Sequence, residues 1–291
     1  MAADQSRKPG RRRAAAARGL ARGLDCAATF QTIARDCTAA IKAHHGRACA
    51  GDAEAVHQIR VAITRLRAAV AFFAPVVVDT KWPRLKKEIA WLNGPLGRAR
   101  DSDVVVEYAR RKHYQAWVQS RLGEDLDRQQ KQNHRRLVRS LRSGRTQRLL
   151  TGWNGWIERG PWLERYRGRR DKQALEGYCA RELGRWHKRL IRRGRRLKTL
   201  GESPRHRLRI KAKRFRYILE ALKGTAVLRK RGEWQRLHRP AKQLQRTLGD
   251  LRDLERISEL AEGSPPGYRR RTERLLDAAI AAHRDLKDVS V

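Results

Sequence analysis

The chain has 291 residues, and 69 Lys and Arg against 30 Asp and Glu leave a formal charge of +39 at pH 7. A length near 300 supports one large or two smaller domains with a real core, and hydrophobic residues at 40% with only 9 Pro exclude wholesale disorder. No stretch reaches the roughly 18 to 20 uncharged apolar residues that cross a bilayer, and a compact body of this charge repels itself, so a strongly anionic partner is expected.

Residues 1–23, beginning MAADQSRKPGRRR, cluster arginines without the apolar stretch of a secretory signal and read as a disordered basic arm. From Leu24 the pattern is one of successive helices, with turn signals at Gly51-Asp52, Pro75, Asn93-Gly94-Pro95, Gly123, Gly144, Gly152 to Pro161, Gly201 to Pro204, Gly224, Gly232 and Gly263 to Gly267. The β-branched runs Val76–Val78 and Val104–Val106 are too few to build a sheet. The second follows Asp101-Ser102-Asp103, an N-cap cluster, and reads as the first turn of a helix. The predicted fold class is all-α. Cys26, Cys37, Cys49 and Cys179 show no CxxC spacing, so neither a zinc site nor a disulfide framework is predicted, and a reducing cytoplasm is the simplest setting.

Two blocks recur in the same order. VHQIRVAITRLRAAVAFF (Val56–Phe73) lays onto RHRLRIKAKRFRYILEAL (Arg205–Leu222), pairing His57 with His206, Arg60 with Arg209, Arg65 with Arg214 and Arg67 with Arg216. WPRLKKEIAWLNGPLGRARDSD (Trp82–Asp103) lays onto WQRLHRPAKQLQRTLGDLRDLE (Trp234–Glu255), pairing Trp82 with Trp234, Gly97 with Gly249, Arg100 with Arg252 and Asp101 with Asp253. The chain therefore reads as an internal duplication. A first helical bundle at about 24–150, a connecting segment at 151–170 and a second bundle at about 171–287 should meet around a pseudo-twofold axis. The tryptophans of TGWNGWIERGPW (Thr151–Trp162) are placed to pack the seam between the halves.

At 100° per residue, His57, Arg60, Thr64 and Arg67 share one helix side, beside an apolar stripe of Val56, Ile59, Ile63, Leu66 and Val70. In the second copy His206, Arg209, Lys213 and Arg216 take the same places, beside Leu208, Ala212, Phe215, Leu219 and Leu222. Like charges stacked one turn apart weaken a helix. Neither row has acidic residues interleaved before Glu220, so the rows suit a linear chain of phosphates better than a solvated face. The GxxRD elements at Gly97–Asp101 and Gly249–Asp253 read as junctions between helices: Gly for the left-handed turn, Asp for the next cap, and Arg100 and Arg252 aimed by the loop. Lys86, Lys87, His238, Arg239, Lys242 and Arg246 are candidates for an opposite wall, and Arg185–Lys198 holds eight basic residues and no acid.

Taken together, VHQIRVAITRLR, RHRLRIKAKRFRY, LKKEIAWLNGPLGRARDSD and LHRPAKQLQRTLGDLRDLE resemble the CHAD domain family over about Leu24 to Leu286. The resemblance implies paired four-helix bundles whose basic residues line a central groove or pore that binds inorganic polyphosphate, in some members at polyphosphate granules. It implies His57, Arg60, Arg65, Arg67, Arg100, His206, Arg209, Lys213, Arg214, Arg216 and Arg252 as ligands, with Lys242 and Arg246 next. Thr64 opposite Lys213, and Ala90 opposite Lys242, depart from a fully basic pattern and point to weaker binding by the first half. No ExExK, HExxH or P-loop motif is present, so a binding module without cofactor, metal or enzymatic activity is predicted. Nucleic acid is the alternative partner, although no helix-turn-helix, zinc-finger or RNP-type signature accompanies the charge. His57 and His206 are expected to become cationic beside phosphate at mildly acid pH.

Overall fold

The computed structural model describes residues 25–110, 112–168, 174–223 and 231–289. The basic arm at 1–23 and the turn at Gly224 lie outside them. Helices α1 (Cys26–Cys49), α2 (Ala53–Phe72), the short α3 (Ala74–Val77), α4 (Trp82–Ala109) and α5 (Lys112–Arg142) build the first half. After α6 (Gly144–Arg159) and α7 (Pro161–Arg167), the second half consists of α8 (Leu175–Gly194), α9 (Glu202–Ala221), α10 (Arg231–Leu260) and α11 (Tyr268–Lys287). The fold is all-α, and no helix among the described residues is long and apolar enough to cross a membrane.

Local signals start several helices where the sequence places them. Asp25 accepts from the Ala28 amide at 2.8 Å and caps α1; Asp52 accepts from Ala55 at 3.0 Å and caps α2. Gly51, at φ +89°, makes the intervening turn in a conformation that L side chains avoid. Gly123 interrupts α5 at φ 39° and ψ −131°. The β-branched run at Val76–Val78 forms the short α3 and its exit.

One apolar core runs through both halves. The α2 stripe of Val56, Ile59, Ile63, Leu66 and Val70 and the α9 stripe of Leu208, Ala212, Phe215, Leu219 and Leu222 are all buried, as their helical spacing predicts. These two helices, which carry the matched HxxR segments and are 20 residues long in each case, pack on one another. Aromatic rings fasten α8 beside them. The Tyr178 hydroxyl donates to the Phe72 carbonyl at 2.6 Å while its ring stacks on Phe73 at 5.6 Å. Trp186 meets Phe72 edge-on. A smaller cluster, including Val105, Tyr108, Leu254 and Ile257, ties the end of α4 to α10.

Three turn readings are overturned. Asn93-Gly94-Pro95 lies inside α4, because buried Leu92, Leu96 and Ala99 hold the helix to the core on both sides of the proline, which itself is buried. Both GxxRD elements consequently sit within continuous helices, and Asp101-Ser102-Asp103 starts no helix. Asp103 is instead buried and accepts from His134 Nε2 at 2.7 Å and from Gln130 at 2.9 Å, fastening α4 to α5. Burial opposes the charged carboxylate of Asp103, but these hydrogen bonds outweigh it and hold the group below its usual range.

The third concerns Thr151–Trp162, which continues α6 to Arg159 before Gly160 breaks the helix. Leu149, Trp153, Trp156 and Ile157 recur at helical spacing, and their burial outweighs the helix-breaking tendency of Gly152 and Gly155. Trp156 and Trp162 pack on Phe30, at 5.8 and 5.4 Å between ring centroids, and Trp82 stacks on Trp156 at 5.3 Å. These tryptophans therefore pack into the first half instead of the seam between halves.

Gly160 is a position where a side chain has no room. A Cβ there would come within 2.4 Å of the Trp156 carbonyl oxygen and 2.6 Å of the Trp162 ring. That carbonyl already accepts from Trp162 Nε1 at 2.8 Å. Gly160→Ala should destabilise the fold by about 1–3 kcal/mol or more, measured by urea denaturation. An unchanged midpoint would show that this corner can yield.

Candidate anion-binding site

The site grows from the packing of α2 on α9. Arg60 extends from α2 across α4, where its Nη1 donates to the Gly97 carbonyl at 3.0 Å and to the Asp101 carboxylate at 3.3 Å. The equivalent Arg209 extends from α9 across α10 against Gly249, where a Cβ would come within 3.3 Å of Nε. Gly249 therefore admits a guanidinium lying close over its helix, whereas at Gly97 a Cβ would stand at an ordinary 4.0 Å from Arg60 Nη1. Neither glycine has a positive φ, and no left-handed turn exists at either place. The capping role assigned to Asp101 is likewise replaced: its two oxygens accept from Arg60 and from Arg256 Nη1 of α10, the latter at 2.9 Å.

Lys213 stands at the centre. It is partly buried and lies in the field of Arg209, Arg60 and Arg216, so burial first, and these guanidinium charges next, bring its ammonium down to about 7. His57 is held below its ordinary value by burial and then by Arg100, with Lys213 and Arg60 adding to the effect. His206 is lowered by burial, Arg209 and Arg252. Both imidazoles thus favour the neutral form until an anion offsets their neighbours. Beneath the cations lies the buried ring of Tyr217, with Arg216 at 4.4 Å, Arg65 at 5.3 Å and Lys213 at 5.7 Å from its centroid. Thr64 donates to the Arg60 carbonyl of its own helix and brings no charge to the seam.

The expectation that the rows lack bridging carboxylates is only half right. Glu220, one turn beyond Arg216, accepts from Arg216 at 2.5 Å, from His238 Nε2 at 3.0 Å and from Arg65 of the first half at 3.3 Å. Burial opposes its charge, yet the His238 hydrogen bond and the Arg216 and Arg65 charges hold it below the usual range. His238 therefore faces Glu220 and does not form part of an open wall. Arg252 is paired with Glu202 and Glu259, and Arg100 lies 3.7 Å from Glu107. Arg216 also donates to Gln245 at 2.7 Å, between Lys242 and Arg246, which remain exposed on α10. The i,i+4 spacing of Arg216 and Glu220 was the one signal of this hub readable from local sequence.

Around the Arg67–Arg214 pair the counter-charge is missing. In the duplicated register Ala71 stands where the second copy has Glu220, and Ala68 stands for Tyr217. Arg214, lowered by burial and then by Arg67, has no carboxylate partner among the described residues, and neither has Arg67. Lys211, lowered by burial, sits in the field of Arg193, Arg214 and Arg189, so the basic run of α8 continues this surface. Eight of the predicted ligands thus divide into a central group (His57, Arg60, Arg209, Lys213), an internally neutralised pair (Arg65, Arg216) and an open pair (Arg67, Arg214).

The depressed Lys213 ammonium has a defined linkage consequence. Its folded value lies below the unfolded 10.5, so at pH below 7 the folded state carries a buried charge at a cost. Between 7 and 10.5 the unfolded chain binds the extra proton and the cost fades. Lys213→Met should therefore be more stable than the parent below pH 7, with the margin narrowing as pH rises toward 10. Urea melts at pH 6, 8 and 10 measure it; a pH-independent margin would refute the charge at this position as its cause.

Comparison with known proteins follows this geometry. A family model described as CHAD domain matches residues 32–262. The crystal structure of the CHAD domain from the plant Ricinus communis superposes with a TM-score of 0.71 at 24% identity, covering 90% of this chain and 93% of that one. PptA from Streptomyces chartreusis superposes at 0.61 and 16% identity, covering 91% and 99%. At such identities these likenesses speak for the fold alone. Comparison with curated proteins gives no match. With the family match spanning most of the chain and the all-α architecture shared by both solved structures, this protein belongs to the CHAD domain family.

Proposed function

We propose that the chain binds inorganic polyphosphate along the α2–α9 seam, as a binding module without turnover, and that such binding underlies any association with polyphosphate granules. The observation that carries this reading is the gathering of Lys213 with Arg60, Arg209 and Arg216 on the seam, where burial and then these charges bring its ammonium down to about 7. A linear anion relieves that repulsion, and Arg forks with a Lys point charge suit phosphates without demanding bases. The seam carboxylates Asp101 and Glu220 are committed to arginines, which supports binding in preference to metal-assisted cleavage. Against the nucleic-acid alternative stands the placement of the aromatics: Tyr217 is buried beneath cations and Trp234 is stacked on His238, so neither offers a base-stacking platform.

Long-chain affinity should fall steeply between low and physiological salt, because each contact releases condensed counterions. Arg209→Ala with Lys213→Ala should weaken binding at least tenfold, at about 1–3 kcal/mol per charge-assisted contact, and Arg67→Ala with Arg214→Ala should weaken it similarly. Glu220→Gln should strengthen binding by freeing Arg65 and Arg216. Competition titrations against DNA and RNA at equal phosphate concentration, with recovered chain length checked, measure these effects. Unaltered binding in both arginine variants, or shortened chains, would overturn the proposal.

Binding should also take up a proton. Phosphate raises the Lys213 ammonium above its free value near 7, so affinity should decline as pH rises through 7 toward 8.5. Calorimetry in buffers of different ionisation enthalpy reads the uptake, and Lys213→Met should remove most of it. Equal uptake by the variant would assign the proton to His57 and His206 instead.

A further inference from the structure

Gly152 and Gly155, read from sequence as a connecting turn, lie inside α6, and this leaves them unexplained. Glycine is the poorest helix former after proline, yet a Cβ at either position would meet nothing within 4 Å, so no packing contact demands its absence. Arg148, Gly152, Gly155 and Arg159 recur at intervals of four, three and four, and so share one helix face. That face forms one wall of a cleft of about 890 Å³ against the start of α4, which contributes Lys81, Arg84 and Leu85. Side chains at the two glycines would project into this space.

The cleft differs in kind from the α2–α9 seam. Its lining includes apolar Leu85, Leu149 and Trp156, the last two almost wholly buried. The Trp156 ring is fixed from behind by hydrogen bonds from Nε1 to Asp79 at 3.0 and 3.1 Å and by stacking on Trp82. Around this lining stand Lys81, Arg84, Arg148 and Arg159, all exposed and none in a salt bridge among the described residues, although Arg84 lies in the field of Glu88 and Arg159 in that of Glu158. The carboxylate in the lining, Glu88, is taken up by Arg145 in a two-pronged pair at 2.7 and 3.0 Å. Arg145 in turn lies over the Trp91 ring at 4.1 Å.

We infer that this cleft is a second anion-binding site, for a nucleoside polyphosphate. The volume lies within the roughly 300–1,000 Å³ of small-molecule sites, which are characteristically apolar with a few convergent polar groups. Inorganic polyphosphate has only oxygens to present and gains nothing from apolar lining such as Leu85 or from the open trough over the two glycines. An anion with a flat ring uses both features: its ring occupies the trough over the two glycines, and its phosphates meet Arg84 and Lys81 from α4 together with Arg148 or Arg159 from α6. The inference stands on residues separate from those of the seam.

The test compares ATP with inorganic tripolyphosphate, which carries similar charge without a ring, by equilibrium dialysis at fixed salt without divalent cation. The parent protein should bind ATP at least tenfold more tightly than tripolyphosphate. Gly155→Leu keeps every cation, fills the trough and improves helix propensity. It should lower ATP affinity at least tenfold with no loss of melting temperature and with long-chain polyphosphate binding unchanged. Arg84→Ala with Arg148→Ala should also weaken ATP binding, whereas Arg209→Ala with Lys213→Ala should leave it intact. Equal affinity for ATP and tripolyphosphate, an undiminished ATP affinity in Gly155→Leu, or loss of ATP binding in the seam variant would each overturn the inference.

Discussion

Mutually repelling cations, Arg60, Arg209, Lys213 and Arg216, are brought together where two helices must touch. What holds them is the burial on the adjoining helix faces. The stripes of α2 and α9 are almost wholly excluded from solvent, and each large apolar side chain removed from water contributes about 1.5–3 kcal/mol. That is enough to hold a like-charge cluster closed without matching every cation to an anion. Tyr217 lies on this boundary, its ring packed in the core and its upper face offered to three cations. Lys213 is lowered first by burial and then by the charges of Arg209, Arg60 and Arg216.

The carboxylates around the seam decide where that charge stays open. Asp101 receives Arg60 and Arg256, and Glu220 receives Arg65, Arg216 and His238, so each joins the first half to the second. Partly exposed pairs of this kind add little stability, on the order of 0–1 kcal/mol. Their effect is to orient guanidinium groups and to cancel charge locally. Because the first copy has Ala71 in place of Glu220, the Arg67–Arg214 pair keeps its charge. This asymmetry runs opposite to the impression left by Thr64: the copy with more cations is also the one that neutralises some of them.

Glycine carries meaning in three ways here, and local pattern does not separate them. Gly51 and Gly123 adopt positive φ and terminate or break helices. Gly249 is helical and gives room to Arg209 from a neighbouring helix. Gly152 and Gly155 are helical with open space above them, which turns a helix face into the wall of a cleft. The first role belongs to the backbone of the residue itself, whereas the others depend on what another helix brings near it.

The sequence by itself determined the helical class, the buried stripes of α2 and α9, the two cationic rows and the family resemblance, since apolar periodicity and motif spacing are properties of a single segment. Only the tertiary structure decided that Asn93–Pro95 and Gly152–Gly155 continue helices, because burial on flanking turns outweighed weak local propensity. It alone decided which cations are neutralised. Arg65 meets Glu220, and Asp101 meets Arg256, across 155 positions of chain. Coulombic partnership follows distance in space, and that distance is set by how the helices cross, which no local pattern records.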